Sequence, residues 1–153
     1  ATAPTRTLNF GSVTASSITV SAAGSSDATA GLHATPFYFD RDAGVTNSGY
    51  VLGDWTDSAL SVNTQYSYRL KVRDAASAAN ESSFSDTQTK YTYANTPGTP
   101  SILSSAATSL TVKIAVNSNP SNTEFAIQEA NSGNFVQANG ALGGTTVWQT
   151  YAN

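Results

Sequence analysis

Apolar side chains in this chain recur at every second position in short runs, and Gly, Asn, Asp, Ser and Pro bound those runs. That period predicts strands with one face buried, and no stretch sustains the 3.6-residue period of a helix. Leu8 and Phe10 mark a first strand, and Ile18 and Val20 alternate with Thr19 and Ser21 in a second. Phe37 and Phe39 alternate with Tyr38 and Asp40 in a third. Tyr50 to Leu52 predicts a short fourth strand, and Leu60 with Val62 a short fifth. The longest alternation sets Tyr66, Tyr68, Leu70 and Val72 against Gln65, Ser67, Arg69, Lys71 and Arg73. Thr87 to Tyr93 supplies the last strand of the set. The expected core is Phe10, Ile18, Val20, Phe37, Phe39, Leu60, Tyr66, Tyr68, Leu70 and Val72.

Part of this pattern returns about 90 residues later. Ser17-Ile18-Thr19-Val20 reappears as Ser109-Leu110-Thr111-Val112. Thr35-Pro36-Phe37-Tyr38-Phe39 reappears as Thr123-Glu124-Phe125-Ala126-Ile127, and Trp55-Thr56 as Trp148-Gln149-Thr150 with one residue inserted. Order and spacing hold over all three blocks, which is the mark of a tandem module. The reading is a first module over residues 1–94, a linker over 95–100 and half of a second module over 101–153. In the linker, Pro97-Gly98-Thr99-Pro100 is unsuited to a central strand. The later runs, Ile102, Leu110 to Val116, Phe125 to Ile127, Phe135-Val136 and Trp148, match the first four strands of the first module. Nothing matches its last three.

The fold class that follows is all-β. The strand spacing resembles that of fibronectin type III modules, which are immunoglobulin-like β-sandwiches. The most specific stretch is Leu60-Ser61-Val62-Asn63-Thr64-Gln65-Tyr66-Ser67-Tyr68, similar to the family's Leu, Asn-Thr turn and Tyr leading into the sixth strand. Arg73-Asp74-Ala75-Ala76, Asn80-Glu81-Ser82, Tyr91-Thr92 and the Thr-Pro-Gly-Thr-Pro linker resemble tandem modules of bacterial surface and secreted proteins. The resemblance implies a tandem of such sandwiches, the second incomplete. It also implies that Tyr66 is a tyrosine-corner residue whose hydroxyl bonds nearby backbone. One departure concerns the second strand, which ends Val20-Ser21-Ala22 where the family usually carries a Trp.

Composition narrows the partners. Lys and Arg number 7 against 10 Asp and Glu, giving a net charge of -3. Binding to nucleic acid needs clustered cations that displace counterions from phosphates, so no nucleic-acid partner is expected. No apolar run approaches the length of a membrane span, so no membrane insertion is expected within this chain. Cysteine is absent, which removes disulfides and thiolate metal sites. Methionine is absent even at position 1, so the chain is expected to be a processed or excised piece of something longer.

Candidate chemistry is sparse, and each candidate competes with a plainer role. Tyr38 lies on the outward phase of its strand and Trp55 in an expected loop; together they are candidates for stacking on a sugar. Arg69, Lys71 and Arg73 share one strand face, where they could contact an acidic polymer. Their plainer reading is a solvated face of mixed charge, with Asp40 on one side and Asp86 and Lys90 on the other. Asp40, Asp42, Asp54 and Asp57 gather in sequence, but Arg41 between two acids fits a calcium loop poorly, so no metal is expected. His33, the single histidine, is expected in a solvated loop, and no serine sits in a nucleophile motif. Asn80-Glu81-Ser82 fits a glycosylation sequon, expected to be bare in a bacterial protein. Lys113 alternates with Val112 and Ile114 and so faces solvent rather than an isopeptide partner. No cofactor and no reaction are expected. The expected role is an extracellular or cell-surface structural spacer or interaction module of a longer surface, secreted or filament-forming protein, its half module completed either by the continuing parent chain or by strands from another copy. The alternative is a carbohydrate-associated or adhesive module that accompanies a catalytic or binding domain elsewhere in the parent, with a polysaccharide or a surface protein as partner.

Overall fold

The computed structural model describes residues 5–151, with side chains given from Thr7, and these residues form strands and no helix. The chain divides into two compact units, Ala1–Tyr93 and Ala94–Asn153.

Unit one is sandwich-like, built from two antiparallel sheets. Strands β1 (Thr5–Val13), β2 (Ser17–Ser26) and β5 (Trp55–Ser58) form one, in the order β1-β2-β5. Strands β3 (Leu32–Arg41), β4 (Thr46–Val51), β6 (Gln65–Asp74) and β7 (Gln88–Tyr91) form the other, in the order β4-β3-β6-β7. The β3–β4 hairpin turns on Asp42 and Ala43, both with positive φ (49° and 54°), and the Gly44 N–H bonds the Arg41 carbonyl at 3.2 Å. Two consecutive left-handed residues match the right-handed twist of the flanking strands.

The inner faces meet in a core of Leu8, Ile18, Val20, Phe39, Leu60, Tyr68, Leu70 and Val72. Phe10, Phe37, Tyr66 and Trp55 are partly buried and pack against it. The alternation of β6 is complete: Tyr68, Leu70, Val72 and Asp74 are buried, and Arg69, Lys71 and Arg73 lie on the other face. Phe10 and Tyr68 meet edge to face at 5.9 Å, as do Trp55 and Tyr68 at 6.3 Å, geometries that suit the ring quadrupoles.

Three local expectations are corrected. The fifth strand is Trp55–Ser58, not Leu60 with Val62, because β5 is where the chain pairs with β2, Val20 opposite Trp55 and Ile18 opposite Asp57. Trp55 is therefore a strand residue against the core and not a loop residue. His33 lies on β3, half-buried, and its Nδ1 accepts the Thr35 N–H at 3.0 Å.

Unit two has far less shared interior. Strands β8 (Gly98–Ser105) and β9 (Leu110–Ala115) make a hairpin. The expected linker thus ends early, since Gly98 to Pro100 belong to β8. Proline is tolerated there because β8 is an edge strand with a register shift between Gly98 and Ser101. Beyond the hairpin, β10 (Glu124–Phe125) pairs with β13 (Gln149–Thr150), and β11 (Phe135–Val136) pairs with β12 (Leu142–Gly143). Phe125 is buried, whereas Ile102, Leu103, Leu110, Leu142 and Trp148 are exposed. An asparagine clamp closes the base of this unit. The Asn119 side chain accepts the Asn95 N–H at 2.8 Å and donates to the carbonyls of Asn95 and Val116 at 2.8 and 2.9 Å.

Leu70 is fully buried on the central strand of the larger sheet, so Leu70→Ala removes three core carbons and leaves a cavity. Urea denaturation should show unit one destabilised by about 2 to 5 kcal/mol. A near-neutral result would contradict this burial.

Candidate functional site

The outer face of the larger sheet collects most of the charged and aromatic side chains singled out from the sequence. Register puts Tyr50 opposite Tyr38, Tyr38 opposite Lys71, and Asp40 opposite Arg69. One row therefore crosses three strands. The segment after β6 then runs back along that strand. Glu81 bridges to Arg73, the Ser82 N–H bonds the Val72 carbonyl at 2.8 Å, and the Ser85 N–H bonds the Leu70 carbonyl at 2.8 Å. The hydroxyls of Ser82 and Ser85 accept the N–H groups of Val72 and Leu70 at 2.9 and 3.0 Å. Two serines thus stand in for strand backbone and bring Glu81 and Phe84 over the face.

The result is a ladder of cations and rings. Arg69 lies 4.0 Å from the Phe84 ring centre and donates to Asp40 Oδ2 at 2.7 Å. Lys71 sits 4.8 Å from the Tyr38 ring and 5.7 Å from the Tyr50 ring, and bonds Glu81 Oε2 at 2.7 Å. Arg73 stacks 3.9 Å from the Tyr50 ring and donates to the carbonyl and hydroxyl of Thr35 at 3.1 and 2.8 Å. Tyr38 packs on Tyr50 at 5.2 Å and on Phe84 at 6.3 Å. The hydrogen bond from Lys71 holds the Glu81 carboxyl below its ordinary range, and the same bond raises Lys71. Burial pushes the Tyr50 hydroxyl up. Each such cation–ring contact contributes about 0.5 to 2 kcal/mol, depending on how dry it is.

The ladder brings together Tyr38, Arg69, Lys71 and Arg73, and it leaves Trp55 out. Asp40 takes the place expected of it. On the far side Glu81, not Asp86, is the acid that meets Lys71, and Lys90 instead lies 5.9 Å from the Phe10 ring. Sequence reasoning also passed over Tyr50 and Phe84 as members. The signal for Tyr50 was its place one strand over from Tyr38; Phe84 gave none, since it lies outside the named strands.

The acids clustered in sequence are not brought together as a metal site. Asp40 goes to Arg69. Asp42 accepts the N–H and hydroxyl of Ser67, both at 2.9 Å. Asp57 turns inward from β5, where Oδ2 accepts the Tyr68 hydroxyl at 3.0 Å and the Arg41 guanidinium at 2.9 Å. Burial, then the bond to Asp57, pushes the Tyr68 hydroxyl far up. Among the described residues no group of three or more His, Cys, Asp or Glu is placed to hold a metal ion. The Tyr66 hydroxyl accepts the Ser61 N–H at 2.8 Å, and Arg41 lies 5.3 Å from the Tyr66 ring. In the sequon, the Asn80 side chain donates to Asp74 Oδ2 at 2.7 Å.

Compared with protein-family models and with curated proteins, the chain finds no match.

Asp57 and Arg41 form a largely buried ion pair, with side-chain exposures of 6% and 17%. Removing one partner of such a pair strands the other charge, so Asp57→Ala should cost about 3 kcal/mol in a urea titration. A loss under about 1 kcal/mol, the surface-pair value, would mean that solvent reaches the guanidinium.

Acid should act through Asp74 and Glu81. Bonds from the Asn80 side chain and backbone hold the Asp74 carboxyl below its ordinary range. A depressed carboxylate contributes stability that is present above its unfolded pKa, about 3.9 for Asp and 4.3 for Glu, and lost as pH falls through the folded value. Thermal melts should therefore be flat from neutral pH to about pH 5 and decline below about pH 4. Asp74→Asn should flatten that decline.

Proposed function

We propose that this chain is a non-catalytic structural and interaction module of an extracellular or cell-surface protein, with unit one as spacer and unit two as the place of assembly. The observation that carries the reading is the β8–β9 hairpin. It presents Ile102, Leu103 and Leu110 at 60% exposure or more, and β9 has β8 as its one strand neighbour among the described residues. An apolar strand with an open edge is a template for pairing with another chain. Strand addition from a second copy would cover it.

Two further features support the reading. The three-plus-four sheet order of unit one and the bond from Ser61 to Tyr66 fit a fibronectin type III-like spacer. The face most suited to ligand contact is already occupied by its own partners. Lys71 and Arg73 lie over the Tyr38 and Tyr50 rings, and Trp55 packs into the core. A sugar platform would need those ring faces free, so the carbohydrate-associated alternative draws less from this geometry.

Light scattering over a concentration series tests the reading. The 153-residue chain should associate as concentration rises, and amide exchange over residues 98–115 should slow in parallel. A monomer at every concentration, with 98–115 already protected, would defeat it.

A further inference from the structure

The internal repeat names the strand that β9 lacks. In unit one, β2 is flanked on one side by β1 and on the other by β5, with Val20 opposite Trp55 and Thr19 opposite Thr56. The counterparts of Val20 and Trp55 in the repeat are Val112 and Trp148. In unit two, β9 has the β1-like neighbour β8 but, among the described residues, no β5-like neighbour. The segment that should fill this place begins at Trp148, which is 61% exposed, and continues into β13, which pairs with β10 instead.

From this we infer that the open edge of β9 takes the Trp148–Gln149 segment of a second copy, antiparallel, with Val112 opposite Trp148 and Thr111 opposite Gln149. The inference rests on the assembly reading above and deepens it by naming donor, acceptor and register. Several observations favour this pairing. The other edge of the hairpin is blunted, because β8 carries Pro100 and two register shifts, whereas β9 carries Lys113 as its single charge and no proline. The pairing dismantles no observed strand pair, since β10 and β13 can stay joined while β13 also meets a neighbour. Among the described residues β9 and the Trp148–Gln149 segment lie within one unit and are not paired with each other, so a second copy is the partner that can join them. Each copy then offers one acceptor and one donor at different places. Such a head-to-tail contact continues from copy to copy as an open filament unless its rotation happens to close a ring.

Cysteine crosslinking reads the register directly, because the chain has no cysteine of its own. Val112→Cys and Trp148→Cys are made in separate chains, mixed and oxidised mildly. Residues directly opposite in an antiparallel pair fall within disulfide reach. The mixed dimer should exceed that from the control pair Val112→Cys with Leu142→Cys by about tenfold, the ratio given by 1.4 kcal/mol of specific pairing. Thr111→Cys with Gln149→Cys tests the neighbouring rung and keeps Trp148 intact, so a loss of folding in one pair does not decide the matter. A dominant Val112→Cys homodimer would mean that β9 pairs with itself and would overturn the assignment. So would a double variant, Val112→Cys with Trp148→Cys, that closes only within one chain. If neither mixed pair crosslinks while the unaltered chain still associates, this donor is wrong and the assembly reading stands. If the unaltered chain stays monomeric as well, both fall.

Discussion

Unit one depends on a charge that it has to bury. Asp57 sits on a four-residue strand of the smaller sheet, and its carboxylate reaches across to Arg41 and Tyr68 of the larger one. Burying a carboxylate costs several kcal/mol unless close partners offset it. The two sheets must therefore lie where the guanidinium and the phenol can meet it. Apolar packing between Ile18, Val20, Leu70 and Val72 supplies the larger share of stability but has little directional preference. The polar bridge adds direction. It ties β5, already paired with β2, to β3 and β6 across the interface between the sheets.

A second constraint, cover for an apolar face, explains why the two units differ although they share a pattern. A sheet with one apolar face needs a second layer over it. In unit one, β3 and β6 cover β2 and β1. In unit two the hairpin has the β1-like and β2-like strands, and the strands that follow are two-residue pairs. Local order there comes from hydrogen bonds instead, chiefly the Asn119 clamp, and these contribute about 1 kcal/mol net apiece. They shape turns but cannot dry Leu110 or Ile102.

What could be read from the sequence was whatever depends on period. The alternation of β6 gave both its buried row and its cationic row, because side chains two apart share a face whatever the strand pairs with. The apolar alternation of Leu110, Val112 and Ile114 likewise falls within a strand, β9. What could not be read depends on register between distant strands. Trp55 looked like a loop residue because four residues are too few to show alternation, and its strand exists only through β2. Glu81 looked like part of a sequon, and its role follows from two serine hydroxyls that dock its segment beside β6. Phe84 carried no signal because it belongs to no named strand. The inward turn of Asp57 was hidden because it lay among Asp40, Asp42 and Asp54, and nothing in their spacing tells which acid faces the core.

Low charge links the two halves of this picture. Natural sheets protect their edges with charge, proline or bulges. This chain has few charges to place, and unit one sets Arg69, Lys71 and Arg73 on the outer face of β6, where acids and rings occupy them. There the cations keep a broad sheet soluble without leaving a bare aromatic face. The hairpin of unit two carries Lys113 as its one charge, and Pro100 lies on β8. The consequence is directional: one edge of the hairpin is closed by backbone chemistry and the other is left able to pair. A surface protected evenly would have no preferred contact, whereas of the two edges of this hairpin β9 is the less protected.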